Sequence, residues 1–247
     1  MLKGRPVTTD EVRVVLEGFK AVPALCEVSL WKYPGFLNAP SVSYDRDGRV
    51  TLTAAAGAVI RYTMDGTEPG PQSPVYEKPF VLSGGGTVKA ASEGNGRKSS
   101  VTARVVPVPS RDWKVIGGER AASAPELAFD GDSGTLWHTH APQGEIAPPQ
   151  ALDIDMGRAV NVAAVLYAPR ADSAKGTIDQ YAVYFSEDGR EWGAPAAEGE
   201  FSNIRANPVL QRIDLKTPVK ARYLRFVGRR VLEGSHVVIA ELGVLEK

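Results

Sequence analysis

Asp130, Asp132 and Thr135 set two carboxylates and a hydroxyl within one short segment, on a backbone interrupted by Gly131 and Gly134. Hard oxygens on a chain that can bend around them suit a calcium ion. The same residue types also close Asx turns with no metal, so the spacing alone leaves both readings open. Directly after them, Leu136 to His140 reads as extended. Side chains then alternate between faces, with Trp137 directed into a core and His138 and His140 away from it. The polar face at the end of that strand is where a ligand is expected.

Two imidazoles on one strand face, with His236 as a third ligand, could instead hold Zn²⁺. Glycosidase chemistry needs two carboxyl groups facing each other across a sugar, roughly 5 to 10 Å apart. The acidic residues that can be placed here fall in turns or in the ion loop, and no region reads as an α/β barrel. Gly84-Gly85-Gly86 is followed by no helix and no Lys-Ser/Thr pair, so it reads as a flexible turn rather than a phosphate loop.

The elements that must carry these residues are short strands. The 247 residues suffice for two ordinary domains. From Pro40 onward, strands are expected at Ser41 to Tyr44, Val50 to Ala54, Val59 to Met64, Val75 to Leu82 and Thr87 to Ser92. Turns fall at Asp45 to Gly48 and at Asp65-Gly66, and Asp65 and Glu68 serve the second turn rather than a site. This is a small antiparallel sandwich ending near Val108. Pro107-Val108-Pro109-Ser110 is a stiff linker expected to hold two domains at a defined separation.

A second set of strands follows at Ala151 to Asp155, Val160 to Tyr167, Tyr181 to Ser186, Gln211 to Asp214, Arg222 to Val227 and Val237 to Val244. Trp113, Trp137 and Trp192 are expected to pack in the core. Ahead of both sets, Thr8 to Glu11 precedes apolar positions at helical spacing, which gives one short helix from about Thr9 to Ala21, ended by Pro23. Ala24 to Ala39 is apolar and Pro-punctuated, with no assigned role beyond packing against the next or a preceding domain. The fold class is therefore all-β, two antiparallel β-sandwiches with a short N-terminal helix, divided at 1–38, 39–108 and 109–247.

Lys plus Arg and Asp plus Glu stand at 29 each, so no net field favours nucleic acid, an anionic membrane or a polyacid. A neutral partner fits that balance. Cys26 is the sole cysteine, which excludes an intramolecular disulfide and a Cys-based zinc site. Met1 to Pro6 carries no apolar signal core, and no later stretch is long enough to span a bilayer. Either the protein is cytoplasmic, or the chain is part of a longer exported one.

Five segments in order resemble the discoidin, or coagulation factor 5/8 type C, family, in the branch that serves as a carbohydrate-binding module on bacterial glycoside hydrolases. They are Asp130 to Thr139, Tyr167 to Arg170, Ser186 to Trp192, Ala221 to Arg225 and Ala240 to Leu242. The words Ile60 to Pro69, Ser73 to Tyr76 and Val88 to Ala90 resemble the chitobiase/hexosaminidase carboxy-terminal domain, an immunoglobulin-like spacer. The resemblance implies a discoidin-like jelly roll over residues 109–247, behind that spacer over residues 39–108. It also implies a structural Ca²⁺ held by side chains of Asp130, Asp132, Thr135 and Glu241 and by carbonyls of Leu127 and Ala240. For a sugar ligand it implies His138, Arg170 and Glu119, the last in the loop before the ion segment. The aromatic usual three places after the histidine is Ala141 here, and the position before the last strand carries His236. A missing stacking ring forgoes roughly 1 kcal/mol of contact.

What the resemblance implies in function is a non-catalytic carbohydrate-binding and spacer region of a bacterial β-hexosaminidase or α-L-fucosidase type enzyme, extracellular or periplasmic. Its partner would be terminal galactose, N-acetylhexosamine or fucose. The alternatives are a protein-protein adhesion module, or a hydrolase label inherited from a catalytic domain outside this chain. Lipid insertion would need exposed Trp, Phe or Leu at the loop tip, and His140 to Glu145 offers none.

Overall fold

The computed structural model describes residues 37–247, apart from 95, 119–123, 142–143 and 146. The helix expected near the N-terminus and the segment around Trp31 lie outside the described residues. Everything described is strand, turn or one short 3-10 turn, and residues 37–247 form one compact unit.

The first sandwich is built of β1 (Ser41–Tyr44), β2 (Arg49–Thr53), β3 (Val59–Thr63), β4 (Phe80–Val81), β5 (Gly86–Gly94), β6 (Arg97–Lys98) and β7 (Thr102–Val106). β2 shows why it folds so: Val50 and Leu52 are buried while Arg49 and Thr53 are exposed, the period of a sheet with one wet face. β1, β2 and β4 form one sheet; β3, β5, β6 and β7 form the other. Val50, Leu52, Ile60, Val88, Ala90 and Val106 fill the space between them. The strand expected over Val75 to Leu82 is cut to Phe80–Val81 plus a single bridge from Val75 to Arg61. Pro74 and Pro79 explain the loss, because neither can donate to a ladder.

The second sandwich begins with β8 (Lys114–Gly118), the 3-10 turn Pro125–Ala128, β9 (Trp137–His138), β10 (His140–Ala141) and β11 (Gly144–Glu145). It continues through β12 (Gln150–Ala168), β13 (Lys175–Ser186), β14 (Ala197–Glu200), β15 (Gln211–Val231), β16 (Glu233–Ile239) and β17 (Glu241–Glu246). The strands expected at Ala151 to Asp155 and Val160 to Tyr167 are one element. β12 shifts register between Asp155 and Val160, pairs β8 before that point and β17 after it, and so joins both sides of the sandwich. β15 likewise runs through the two strands expected at Gln211 and Arg222. The single strand expected over Val237 to Val244 is instead broken at Ala240, so that β16 pairs β9 and β13 while β17 pairs β12.

The core between these layers holds Trp113, Phe129, Trp137, Tyr167, Leu224, Phe226 and Leu242. Tyr167 satisfies its hydroxyl inside it, donating to the Val238 carbonyl at 3.2 Å and accepting the Ile178 N–H at 3.1 Å. Trp192 departs from expectation: it is only half-buried and lies outside the core cluster.

The linker does not hold the sandwiches apart. Val108 is buried in the second core and its N–H donates to Val244 O at 2.9 Å. Val105 of β7 packs on Ala164, Leu166 and Leu245. Gly243 is backed by Pro107 so closely that an added Cβ would stand 2.6 Å from the Pro107 Cβ. The Gly84-Gly85-Gly86 segment is also no loose turn. Gly85 has φ of +69° and no room for a Cβ, which would stand 2.9 Å from Val106 O.

Candidate functional site

Residues 125–139 run along one end of the second sandwich. The turn Pro125–Ala128 leads into Phe129, buried against Trp113, and the chain then turns at Gly131 with φ of +88°. Asp130 Oδ1 accepts the Asp132 N–H at 2.9 Å, and Asp132 Oδ1 accepts the Gly134 N–H at 2.9 Å. Both aspartates therefore close Asx turns, the metal-free use of these residues. The outward oxygens do more than that. The Thr135 hydroxyl lies 2.8 Å from Asp130 Oδ2, 2.9 Å from Asp132 O and 3.5 Å from Leu127 O. These are hydrogen-bond distances, and they gather four oxygens within one loop.

Glu241, the first residue of β17, closes the cluster from the far end of the chain. Only 5% of it is exposed, and both its carboxylate oxygens accept the Gly131 N–H, at 3.2 and 3.0 Å. Burial, with Asp130 and Asp132 close by, pushes its carboxyl up to about 8. An oxygen-only donor set around a buried carboxylate beside two further carboxylates fits Ca²⁺ chemically and does not fit a soft metal. The three acidic side chains do not by themselves converge as a ready ligand trio, and no such trio of His, Cys, Asp or Glu occurs among the described residues. A hydroxyl and carbonyls would have to supply the remainder. Ala240 is fully buried beside Glu241, its N–H donating to Ala168 O at 3.0 Å.

The first sandwich reaches this loop, which no motif foretells. Gly131 sits against Tyr44 at the end of β1, where an added Cβ would stand 2.9 Å from the Tyr44 carbonyl oxygen. Burial raises the Tyr44 hydroxyl to about 12, and Glu241 adds to the shift. The Arg104 guanidinium lies 5.5 Å over the Tyr44 ring. From the adjoining turn, Arg46 donates to Ser110 O at 3.0 Å and lies 5.4 Å over the Phe129 ring. Its carbonyl accepts the N–H groups of Ser110 and Arg111 at 2.9 and 3.0 Å.

At the expected ligand end, the alternation along β9 holds: Trp137 is 1% exposed, His138 is half-buried and Thr139 is fully buried. β9 pairs β16 with His138 opposite Val238, which brings the His138 and His236 rings to 6.5 Å between centroids at 74°. Arg170 follows β12 and forks onto Asp172, with two bonds of 2.8 Å. The Asp172 carboxyl is held below its ordinary range, chiefly by that bond. The same loop walls a cavity of ≈ 230 Å³ through Asp172, Ser173 and Thr177, with Arg205 and Leu232 opposite. Gly176 ends it close to His236, where an added Cβ would stand 3.1 Å from the imidazole Cδ2. His138, His236 and the loop that starts at Arg170 thus share one end of the sandwich. Glu119 lies outside the described residues, as does the side chain of His140. Asp65 and Glu68 serve structure: Asp65 accepts from Thr67, and Glu68 pairs Lys89 at 2.6 Å.

A family model for the F5/8 type C domain matches residues 111–242, more than half of the chain. The chain belongs to the F5/8 type C family. Ahead of its F5/8 type C domain, a chitobiase/beta-hexosaminidase C-terminal domain model matches residues 39–104. A galactose oxidase from Gibberella zeae is 33% identical over 130 residues, which are 48% of this chain and 17% of that protein. A sialidase from Micromonospora viridifaciens is 25% identical over 223 residues, 87% of this chain and 30% of that protein. The chain therefore spans less than a third of the length of these curated relatives. Among solved structures, CBM32-3 from a family 31 glycoside hydrolase of Clostridium perfringens is similar at a TM-score of 0.52 and 26% identity, over 57% of this chain and 95% of that one. The C-terminal domain of a chitobiase from Bacteroides fragilis is similar at 0.50 and 25%, over 57% and 97%.

Proposed function

We propose that this chain is the non-catalytic carbohydrate-binding and spacer region of a longer, exported, glycan-degrading bacterial enzyme of the β-hexosaminidase or α-L-fucosidase type. The observation that carries the reading is the gathering of His138, His236 and the Arg170 loop at one end of an F5/8 type C sandwich. Imidazoles that donate or accept, at the same end as a loop carrying a guanidinium and a carboxylate, suit sugar hydroxyls. The names of the relatives, a sialidase, a galactose oxidase and a chitobiase, support a glycan-active parent. Among the described residues no helix is long and apolar enough to cross a membrane.

In this reading Ca²⁺ would be held by side-chain oxygens of Asp130, Asp132, Thr135 and Glu241 and by the carbonyls of Leu127 and Ala240. It would neutralise the carboxylates and tie the loop before β9 to the start of β17. The ligand would be a terminal galactose, N-acetylhexosamine or fucose. Modest affinity suffices, because tethering raises the effective concentration of an enzyme at its polymer.

A glycan array of the calcium-loaded chain, repeated with His138→Ala and Arg170→Ala, tests this. Binding of terminal galactose or fucose, lost in both variants while the fold persists, is expected. A folded, calcium-loaded chain that binds no glycan would leave a protein-docking module as the better account.

A further inference from the structure

The S-x-D-G-x-x-W hairpin after β13 builds a feature that the loop-end site does not use. Ser186 Oγ donates to Asp188 Oδ1 at 2.9 Å and accepts the Gly189 N–H at 3.0 Å. Asp188 Oδ1 accepts the N–H groups of Arg190 and Glu191, at 2.9 and 3.0 Å. A turn bonded this fully fixes where Trp192 stands. The Arg225 guanidinium lies 4.3 Å over its ring centroid, and Arg225 is itself forked onto Asp153 by two bonds of 2.7 Å. Trp113 and Trp137 are core residues at 3% and 1% exposure, whereas Trp192 remains half-buried and lines an open groove of ≈ 540 Å³. The groove is bordered by Glu187, Asp188 and Glu191 and by Lys220.

We propose that this groove is a second carbohydrate-contacting site, taking a pyranose chain that is uncharged or bears free amino groups and rejecting chains of uronic acids. It is distinct in place from the loop end. Thr177 pairs Val238 near His138, and Ser186 lies nine residues further along β13. At about 3.3 Å per residue the two sites stand roughly 30 Å apart along the strand. A rigid indole braced by a guanidinium offers the apolar surface on which the C–H face of a pyranose packs. Exposed carboxylates around it accept hydroxyl or ammonium hydrogens. Glu187, Asp188 and Glu191 outnumber Lys220 and the hairpin's own Arg190, Arg225 being balanced by Asp153, so the rim keeps a negative excess that attracts amine-bearing units and repels carboxylated ones.

The test uses the full chain labelled with 5-fluorotryptophan, titrated with a glucosamine pentamer, an N-acetylglucosamine pentamer and a galacturonate pentamer. Trp192→Phe assigns the resonance. The Trp192 signal is expected to move with the first two sugars and not the third, in the parent chain and equally in a His138→Ala, Arg170→Ala variant. Glu191→Lys, on the exposed rim, should weaken the glucosamine pentamer about tenfold or more and leave the melting temperature unchanged. A Trp192 signal unmoved by all three sugars overturns the proposal, as does a response to galacturonate equal to that to glucosamine. A response that disappears in the double variant overturns it too, since only the loop end would then bind. Failure of the loop-end reading alone would instead leave glycan-array binding unchanged by His138→Ala and Arg170→Ala, with the Trp192 signal still moving.

Discussion

Glu241 is the residue on which the proposed calcium site turns, and its partners make that proposal testable. With calcium at a hundredfold excess over its Kd, a single site should add about 2.7 kcal/mol to unfolding free energy. Urea unfolding with calcium and with a chelator is expected to differ by an amount of that order. Asp130→Asn should remove most of the difference, since it takes the charge from the oxygen that Thr135 contacts. Equal curves in both conditions would leave the two Asx turns as the whole purpose of the loop. Asp188 offers a cleaner titration. Backbone N–H bonds from Arg190 and Glu191, then the Ser186 hydroxyl, hold its carboxyl down to about 2 from an ordinary 3.8. A lowered pKa means that its contribution is complete above the ordinary value and is lost as pH falls through about 2. NMR titration should find Asp188 ionised throughout pH 4 to 3, and Ser186→Ala should shift its midpoint upward. At this scale the sequence was legible where spacing is local: Asp130, Asp132 and Thr135 do share one cluster. It was silent on Asp172, which holds Arg170, and on Tyr44 and Arg104, which stand beside Glu241 from distant strands.

Strand existence was readable from period-two burial, as β2 illustrates, and strand continuity was not. The joined β12 and β15 and the break at Ala240 depend on which neighbour each residue pairs with, a property of the assembled sheets rather than of any window of text. Trp192 escaped the expectation of burial for a similar reason, since the groove beside it is walled by Val219 to Ala221 of another strand. Two glycines mark where elements meet most tightly. Gly131 combines a left-handed φ with a contact that an added Cβ would bring to 2.9 Å of a backbone oxygen, so Gly131→Ala should cost about 2 kcal/mol or more. Gly243→Ala would overpack Pro107, at about 1 to 3 kcal/mol. Thermal denaturation of each variant measures both, and unchanged melting at Gly131 would mean that Tyr44 yields easily.

On the scale of the whole chain, the two sandwiches share buried surface. Ala164, Leu166 and Leu245 pack on Val105, and Val108 sits in the second core. A chain starting at Pro109 should therefore melt lower than the full chain and bind a hydrophobic dye, because the second sandwich would lose Val108 and expose the patch on β12 and β17. Equal melting of the two would contradict the contact. One consequence concerns how such modules are exchanged between proteins. A crossover placed in the Pro107 to Ser110 segment looks harmless in the text, yet it would graft a foreign neighbour against Gly131 and Gly243, where no side chain fits. A recombinant would tolerate the exchange only if the incoming sandwich brought its own counterpart of the Tyr44 to Arg46 turn and of Pro107, so the unit that can travel is the pair.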